Sequence, residues 1–379
     1  MHTPFEPARG IWHALARPGA AEGLEVRIAY GVHGYGRGHA MRAAAVLPDL
    51  SRRHEVLVLG GGDAWAALAD DWPVVRIPTL RYHEKRPGKR SAWLTLKRNL
   101  PAVLDLLLGG PGVQMVREAL AAFRPDVLVS DSEGWTHRAA RALGVPRISF
   151  DHFGVLVYCR WPMRWTQRLV NRVEAAAYKV LVAGPDRSIV ASFYAPPTVR
   201  DDVAVVGPVL RPVVGEVTPE AGDFLLVYFS HPRRYYRPKV EAALRGTGVP
   251  VTVYGAPREG TDGNLTFRPL ANRPFVEDLA RCRAVFSTAG NQLISEAMHF
   301  GKPILAMPED SLEQRLNAAM VERLGVGMRT SLRRFSPEVL GEFLARTEKF
   351  RGQASAQARN GAAEAVAAIE RYAEELAGG

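Results

Sequence analysis

Short apolar runs alternate with helix-like stretches through the first half of the chain. The apolar runs predict strands at 26–30, 56–59, 74–77, 125–131, 145–151, 180–183 and 203–206. Helical patterns lie between them, the clearest at 40–50, 113–123 and 135–143. Strands that alternate with helices are typical of a parallel, doubly wound sheet. We therefore predict an α/β domain over residues 25–206, preceded by an N-terminal extension over 1–24.

The same alternation resumes after a break rich in Gly and Pro at 206–212. Strands are predicted at 224–229, 251–254, 265–267, 284–287 and 303–306. These patterns predict a linker over 207–222, a second α/β domain over 223–350, and a C-terminal segment over 351–379. That last segment contains one long helix at 354–376, which we expect to pack back on the first domain. Two Rossmann-like domains joined in this way face a central cleft, and such clefts are preferred sites for small ligands.

Charge and cysteine content narrow the class of protein. The formal net charge is +10 and the isoelectric point is near 9.8, which favours an anionic partner such as nucleic acid, acidic lipid or a phosphorylated substrate. Nucleic acid fits poorly, because the basic residues are not interleaved with aromatic ones as a single-strand binder needs. Cys159 and Cys282 have no metal-like spacing and predict reduced thiols. With no secretory signal or membrane span in the sequence, we expect a cytoplasmic protein.

The first candidate site is the glycine-rich stretch at 34–42, Gly-Tyr-Gly-Arg-Gly-His-Ala-Met-Arg. It lies between a predicted strand and a predicted helix, where a ligand can approach the backbone closely. The stretch is not a dinucleotide-binding fingerprint, because no acidic residue ends the next strand. His39 is placed at the carboxyl edge of the sheet, where open α/β sheets carry their chemistry.

The second candidate site is the segment 287–308, followed by the polar residues of 313–318. Its pattern is strand, glycine turn, helix, glycine stop and strand. Gly290 opens a helix whose N-terminus faces the cleft and offers unpaired N–H groups to a phosphate. Glu296 lies about one and a half turns into the same helix, which is otherwise apolar.

These two segments resemble the GT-B glycosyltransferases. The resemblance is greatest to the branch that contains the N-acetylglucosaminyltransferase of peptidoglycan synthesis and its uncharacterised bacterial and archaeal relatives. It implies two Rossmann-like domains facing a central cleft, and transfer of a sugar from a nucleotide-sugar, UDP-linked in that branch. The nucleotide-sugar is a co-substrate, so no cofactor is expected. Helix N–H groups and arginines can stabilise the departing diphosphate, so no metal is expected either.

The resemblance also implies roles for individual residues. Glu296 would hold the ribose hydroxyls, and the helix N-terminus at Gly290, Asn291 and Gln292 would meet the diphosphate together with Ser230. The pair Gln314 and Asn317 would face the donor sugar, and a loop over 273–276, including Phe275 and Val276, would receive the base. From the sequence itself, Arg233, with its neighbours Arg234 and Arg237, is a further candidate for phosphate contact.

An inverting transfer needs a base that takes the proton of the acceptor hydroxyl, and histidine suits this near neutral pH. We predict His39 as the base and Asp131, which ends a strand on the same edge, as the group that orients its imidazole. His152 is the alternative base. The Gly-His-x-Met-Arg pattern is also similar to a GT-B-like hydrolase that cleaves UDP from a bacterial deoxysugar, so hydrolysis of a UDP-sugar is the alternative reaction.

Two stretches combine basic and aromatic residues, at 81–98 and 160–172. Tryptophan with arginine is a composition found at membrane interfaces. The simpler interpretation is a solvated basic face with buried tryptophans. If the stretches do contact an anionic membrane, the protein is peripheral at its inner face and the acceptor is lipid-linked or phosphorylated. A small-metabolite acceptor would leave these residues without a role.

Overall fold

The computed structural model describes residues 26–81, 83–86, 89–90, 92–161, 165–182 and 184–378. The predicted N-terminal extension over 1–24 lies outside the described residues. So do Tyr82 and 162–164 of the two basic, aromatic stretches, together with the side chains of several of their other members, including Lys85 and Trp93.

The first half of the chain forms a seven-stranded, wholly parallel sheet in the order β3-β2-β1-β6-β7-β8-β9. Its strands and the separate hairpin β4–β5 are β1 (Arg27–Val32), β2 (Glu55–Gly60), β3 (Val74–Arg76), β4 (Glu84–Arg86), β5 (Lys89–Arg90), β6 (Val127–Asp131), β7 (Arg147–Asp151), β8 (Arg187–Ala191) and β9 (Val203–Val206). The helices are α1 (Arg37–Arg53), α2 (Gly62–Leu68), α3 (Ala92–Leu108), α4 (Pro111–Phe123), α5 (Gly134–Ala142), α6 (Gly154–Tyr158) and α7 (Trp165–Val182).

A linker with a short 3-10 helix, Pro212–Glu216, leads to a second seven-stranded sheet in the order β12-β13-β11-β10-β14-β15-β16. Only β12 in it is antiparallel. Its strands are β10 (Leu225–Tyr228), β11 (Val251–Tyr254), β12 (Gly260–Asp262), β13 (Leu265–Arg268), β14 (Ala284–Ser287), β15 (Ile304–Ala306) and β16 (Gly327–Arg329). The helices are α8 (Pro232–Tyr235), α9 (Pro238–Arg245), α10 (Asn272–Arg281), α11 (Asn291–His299), α12 (Leu312–Arg323), α13 (Pro337–Ala345), α14 (Thr347–Ala356) and α15 (Ala362–Ala377). The α/β class and the two-sheet architecture predicted from the sequence are confirmed.

The last helix, α15, packs on the first sheet rather than on the second. Its buried residues Ile369 and Tyr372 share a core with Ile28 of β1 and Leu47 of α1. The chain reaches that position through Gly361, whose N–H donates to the carbonyl of Pro208 at 2.8 Å. A Cβ atom on residue 361 would lie 2.3 Å from the Gly207 carbonyl oxygen. Only glycine therefore fits where the two crossings between the domains meet.

Two predicted elements are wrong. Residues 180–182 are not a strand but the end of α7, and the strand follows at 187–191; Ala183 lies outside the described residues. Gly184, at φ 69°, and then Pro185 end the helix there. The predicted single helix at 354–376 is two helices, because the chain leaves the second domain after α14 and crosses to the first before α15 begins.

Candidate active site

The glycine-rich stretch forms the turn between β1 and α1. Gly36 is the N-cap of α1 at φ 88°, a left-handed conformation that favours glycine, and its N–H donates to the Asp63 carboxylate at 2.9 Å. The helix begins at Arg37, earlier than the predicted Ala40. His39 is therefore in the first turn and Arg42 is one turn further on, so both side chains lie on one face of α1.

That face of α1 meets Asp131 at the end of β6. Nδ1 of His39 lies 2.7 Å from Oδ1 of Asp131, and Arg42 donates from Nε to Oδ2 and from Nη2 to Oδ1, each at 2.7 Å. Burial alone would raise the pKa of the fully buried Asp131, but the charges of Arg42 and His39 outweigh it and lower the pKa. An ionised Asp131 holds a proton on Nδ1 of His39 and leaves Nε2 as the atom that can accept one.

A second histidine stands beside this pair. The rings of His33 and His39 meet edge to face, with 5.1 Å between their centroids. Burial, and then the neighbouring His39, lower the pKa of His33 to about 3, so His33 is neutral at physiological pH. Neither His33 nor the role of Arg42 was predicted from the sequence. The spacing of three residues between His39 and Arg42 on a helix was the available signal for the latter.

His152, the alternative base, is held at both ring nitrogens. Nδ1 lies 2.8 Å from the carbonyl oxygen of Ala191, and Nε2 lies 3.2 Å from Oδ1 of Asn317 in the other domain. Only 5% of the residue is exposed. His152 therefore bridges the two domains, whereas no described residue is hydrogen-bonded to Nε2 of His39, whose side chain is 26% exposed.

On the opposite side of the cleft, the ends of β10 and β14 carry hydroxyl groups. The Oγ of Ser230 lies 2.9 Å from Oγ1 of Thr288. Two residues further on, Gly290 is the N-cap of α11 and supplies no side-chain oxygen to that helix end. The first N–H groups of α11, at Asn291 and Gln292, therefore have no side-chain cap, and this is the arrangement that accepts an anion.

Glu296 of α11 is fully buried and already paired. Arg211 of the linker donates from Nε to Oε1 and from Nη2 to Oε2, both at 2.6 Å. Gln292 donates to Oε1 at 2.7 Å. Nη1 of Arg211 also bonds Asn272 at 3.0 Å, and its guanidinium lies 5.7 Å from the centroid of the Phe275 ring. Nothing in the motif around Glu296 pointed to Arg211, which lies far away in the sequence.

The two polar residues of α12 are also engaged. Oε1 of Gln314 accepts from the N–H of Glu309 at 2.8 Å, and the carboxylate of Glu309 lies 2.7 Å from Nδ1 of His231. Asn317 is fully buried and donates to the carbonyl of Ala289 at 3.1 Å. Their assignment to the donor sugar stays a prediction.

The segment expected to receive the base is not a loop. Residues 273–276 lie in the first half of α10. Phe275 and Val276 point into the core, where the Phe275 ring packs against Tyr228 and Tyr254. Only the exposed side of this turn, at 272–274, is open to a ligand. The expectation that a loop at 273–276 receives the base is therefore wrong in its local structure.

Arg233, on α8, is exposed and has no hydrogen bond or ion pair with any described residue. Within the part of the chain that the structure describes, no three His, Cys, Asp or Glu side chains cluster so as to hold a metal ion. No described helix is both long enough and apolar enough to cross a bilayer.

Known proteins share the two-domain architecture of this chain. The family described as Glycosyl transferase family 1 matches residues 26–348. An uncharacterised glycosyltransferase of Methanosarcina acetivorans is 27% identical over 352 residues, covering 82% of this chain and 86% of the relative. Among solved structures, MurG of Acinetobacter baumannii is 16% identical at a TM-score of 0.61, covering 91% of this chain and 99% of that one. UGT2 of Phytolacca americana, solved with UDP-2-fluoroglucose and pterostilbene, is also 16% identical, with a TM-score of 0.64 and coverages of 93% and 99%. The chain therefore belongs to glycosyl transferase family 1, and it is a glycosyltransferase with the GT-B fold.

Proposed function

We propose that this enzyme transfers a sugar from a UDP-linked donor to an acceptor hydroxyl by a single, inverting displacement, with His39 as the base. The observation that carries the proposal is the pair formed by His39 and Asp131. Asp131 fixes the proton of His39 on Nδ1, and Nε2 has no hydrogen-bond partner among the described residues, on a side chain that is 26% exposed.

The acceptor oxygen attacks C1 of the donor sugar while its proton passes to Nε2 of His39. The bond from C1 to the diphosphate oxygen breaks, and its electron pair leaves with the UDP. No group of the enzyme forms a covalent bond to the sugar, so one displacement inverts the configuration at C1.

The departing diphosphate gains charge, and the second domain supplies groups that stabilise it. The uncapped N-terminus of α11 and the hydroxyls of Ser230 and Thr288 lie together at the ends of adjacent strands. The exposed Arg233 follows Ser230 within a few residues. Preorganised donors of this kind stabilise developing negative charge without a metal, and we propose that the reaction is metal-independent.

The choice of His39 over His152 rests on access. Nδ1 of His152 and its Nε2 each face an oxygen atom within 3.2 Å, and the residue is buried between the domains. A base must reach the acceptor proton directly or through one water. Nε2 of His39 has no hydrogen-bond partner among the described residues to give up, whereas His152 would first have to give up Asn317.

Two likenesses support UDP as the donor nucleotide. The Phytolacca americana structure holds UDP-2-fluoroglucose, and the sequence resembles a branch that uses UDP-linked sugars. A thermal-shift series with UDP, dTDP, GDP and their sugars tests it. A ligand present at a hundred times its dissociation constant should stabilise the folded protein by about 2.7 kcal/mol. A response to dTDP or GDP alone would replace UDP in the proposal.

We further propose that the acceptor is lipid-linked and that the first domain rests on an anionic membrane at its inner face. Helices α3 and α7 both contact α5. Each exposes apolar side chains, namely Leu100, Leu104, Leu107 and Leu108 on α3, and Leu169, Val170, Val173 and Val180 on α7. The same two helices carry exposed basic residues, namely Lys97, Arg98, Arg168, Arg172 and Lys179. Apolar and basic side chains together match an anionic bilayer surface.

Flotation with phosphatidylglycerol vesicles and with phosphatidylcholine vesicles tests the membrane contact. We expect binding to the anionic vesicles only, and its loss in Leu104→Glu/Val173→Glu. Glu322→Gln, on an exposed residue of the second domain, is the control. Equal recovery of wild type and the double variant would contradict the contact and favour a small-metabolite acceptor.

One assay separates transfer from the hydrolysis that the sequence left open. UDP release is followed from UDP-sugars with and without candidate acceptors, lipid-linked and small. A transferase releases UDP slowly alone and faster with an acceptor. Rapid UDP release without an acceptor would instead indicate a UDP-sugar hydrolase.

A further inference from the structure

The carboxylate expected to bind the donor ribose is not available in this structure. Both oxygens of Glu296 accept from Arg211, and Oε1 also accepts from Gln292. No part of the Glu296 side chain is exposed. A ribose diol therefore reaches this carboxylate only if the guanidinium of Arg211 leaves it.

Moving the Arg211 guanidinium away from Glu296 is costly unless it pairs with another anion, because an unpaired buried charge is strongly unfavourable. The N-terminus of α11, the helix that carries Glu296, is the nearest place where such an anion could bind. Gln292, in the first turn of α11, already spans the distance to Glu296 with its own side chain. Tyr228 ends β10, and its ring meets that of Phe275, over which the Arg211 guanidinium lies. Burial raises the pKa of Tyr228, and the charge of Arg211 is the largest effect that opposes this rise.

We infer that Arg211 is a phosphate-binding residue that exchanges partners when the donor binds. The ribose hydroxyls take over the two oxygens of Glu296, and the guanidinium swings to the diphosphate. This inference rests on the proposed function, since it needs a nucleoside diphosphate in the cleft. The exchange conserves charge: the carboxylate keeps two hydrogen-bond donors, and the guanidinium passes from one anion to another.

The position of Arg211 makes such a movement possible. Its backbone belongs to the linker rather than to either sheet, immediately before the 3-10 helix Pro212–Glu216. Its side chain is 15% exposed. Its remaining contacts are a hydrogen bond from Nη1 to Asn272 and the ring of Phe275, whose centroid lies 5.7 Å from the guanidinium, and both partners belong to α10.

The exchange predicts opposite effects on two ligands that differ only in their phosphates. In wild type, uridine must displace Arg211 without offering it another anion, whereas UDP offers one. In Arg211→Met, which replaces the guanidinium with an uncharged side chain, uridine should bind about 10-fold more tightly because Glu296 no longer has a competitor. The advantage of UDP over uridine should fall by about 10-fold or more.

The experiment is calorimetry of uridine, 2′,3′-dideoxyuridine and UDP with wild type, Arg211→Met, Arg211→Lys and the control Arg346→Gln. The gain for uridine must disappear with dideoxyuridine, which lacks the diol. Arg211→Lys keeps a charge but not the double hydrogen bond, and it serves if Arg211→Met does not fold. Arg346→Gln removes an exposed guanidinium paired with Glu342 and should match wild type.

Each outcome has a distinct meaning. Unchanged uridine affinity in the Arg211 variants, with the same ratio of UDP to uridine affinity as in wild type, would overturn the exchange and leave the proposed function intact. A parallel weakening of both ligands would show that Arg211 only supports the fold of the site, and would also overturn it. If wild type binds no nucleoside diphosphate, the proposed function fails first and the exchange with it.

Discussion

The two sides of the cleft contain carboxylates that look alike and differ in what holds them. Asp131 and Glu296 are both fully buried, and each accepts two hydrogen bonds from one arginine. Arg42 belongs to the same domain as Asp131, on a helix packed against its sheet. Arg211 belongs to the linker. The same ion-pair geometry therefore makes a fixed support on one side and an exchangeable pair on the other.

The largest effect is expected from removing the proposed base, His39, which pairs with Asp131. We expect His39→Ala to lower kcat by about 10²- to 10⁴-fold, because the acceptor proton then has no positioned acceptor. Donor affinity should change little, since the donor groups lie in the other domain. Steady-state kinetics with UDP release as the readout measures both. His152→Ala is the matched variant, and a greater loss of turnover there than in His39→Ala would identify His152 as the base.

The two arginines, Arg42 and Arg211, should contribute differently to the free energy of unfolding. Arg42→Met should lower the free energy of unfolding by about 3–5 kcal/mol, because Asp131 would be left as an unpaired buried charge. Arg211→Met should cost less, since Gln292 still donates to Glu296 and the site borders the open cleft. Denaturant unfolding of both variants measures the difference. Equal losses would mean that the two pairs are equally fixed.

Truncation of Glu296 tests whether this carboxylate binds the donor. Glu296→Ala should weaken UDP binding by about 1.5–3 kcal/mol, the contribution of hydrogen bonds to a charged group. Calorimetry on a folded variant measures it, with Glu342→Ala on the exposed side of α13 as the control. A UDP affinity equal to wild type would show that Glu296 holds Arg211 and nothing else.

The smallest expected effect is a shift in the pH at which acid unfolds the protein when Arg42 is replaced. The pKa of Asp131 lies below its ordinary value of 3.8, so its ionised form contributes stability that is present above about pH 4 and is lost as the pH falls through the lower folded-state pKa. Without Arg42 that pKa rises, and Arg42→Met should begin to unfold at a higher pH than wild type. Circular dichroism across an acid titration measures the shift. Coincident titrations would argue against Arg42 as the main support of the charge.

The sequence predicted those contacts of the site that follow from the order of strands in a parallel sheet. It did not predict the contact that depends on the path of the linker. His39 and Asp131 could be paired because the ends of parallel strands share one edge of the sheet, and β1 and β6 are neighbours. Gly290 and Ser230 are brought together in the same way, through β10 and β14. The partner of Glu296 could not be found, because the linker has no pattern of its own that fixes where Arg211 lies.

In the fold too, elements with a local pattern were predicted, and features that depend on distant contacts were not. Alternating apolar runs predicted most strands of both sheets, since a short apolar run bounded by turn residues is typical of a buried parallel strand. The run at 180–182 was misassigned because three apolar residues at a helix end look like a short strand. The loop at 273–276 was predicted from the family resemblance, which does not indicate that Phe275 and Val276 of this chain pack in the core. The break between α14 and α15 depends on a contact between distant glycines.

That contact has a mechanical consequence. The polypeptide passes from one domain to the other at Gly207 and returns at Gly361, and the two passages are tied by the Gly361 N–H to Pro208 and by the Gly207 N–H to the Glu364 carboxylate. Two hydrogen-bonded crossings side by side restrict twisting between the domains more than a single crossing would. We therefore expect any movement of one domain relative to the other to be a hinge about the line that joins these two crossings.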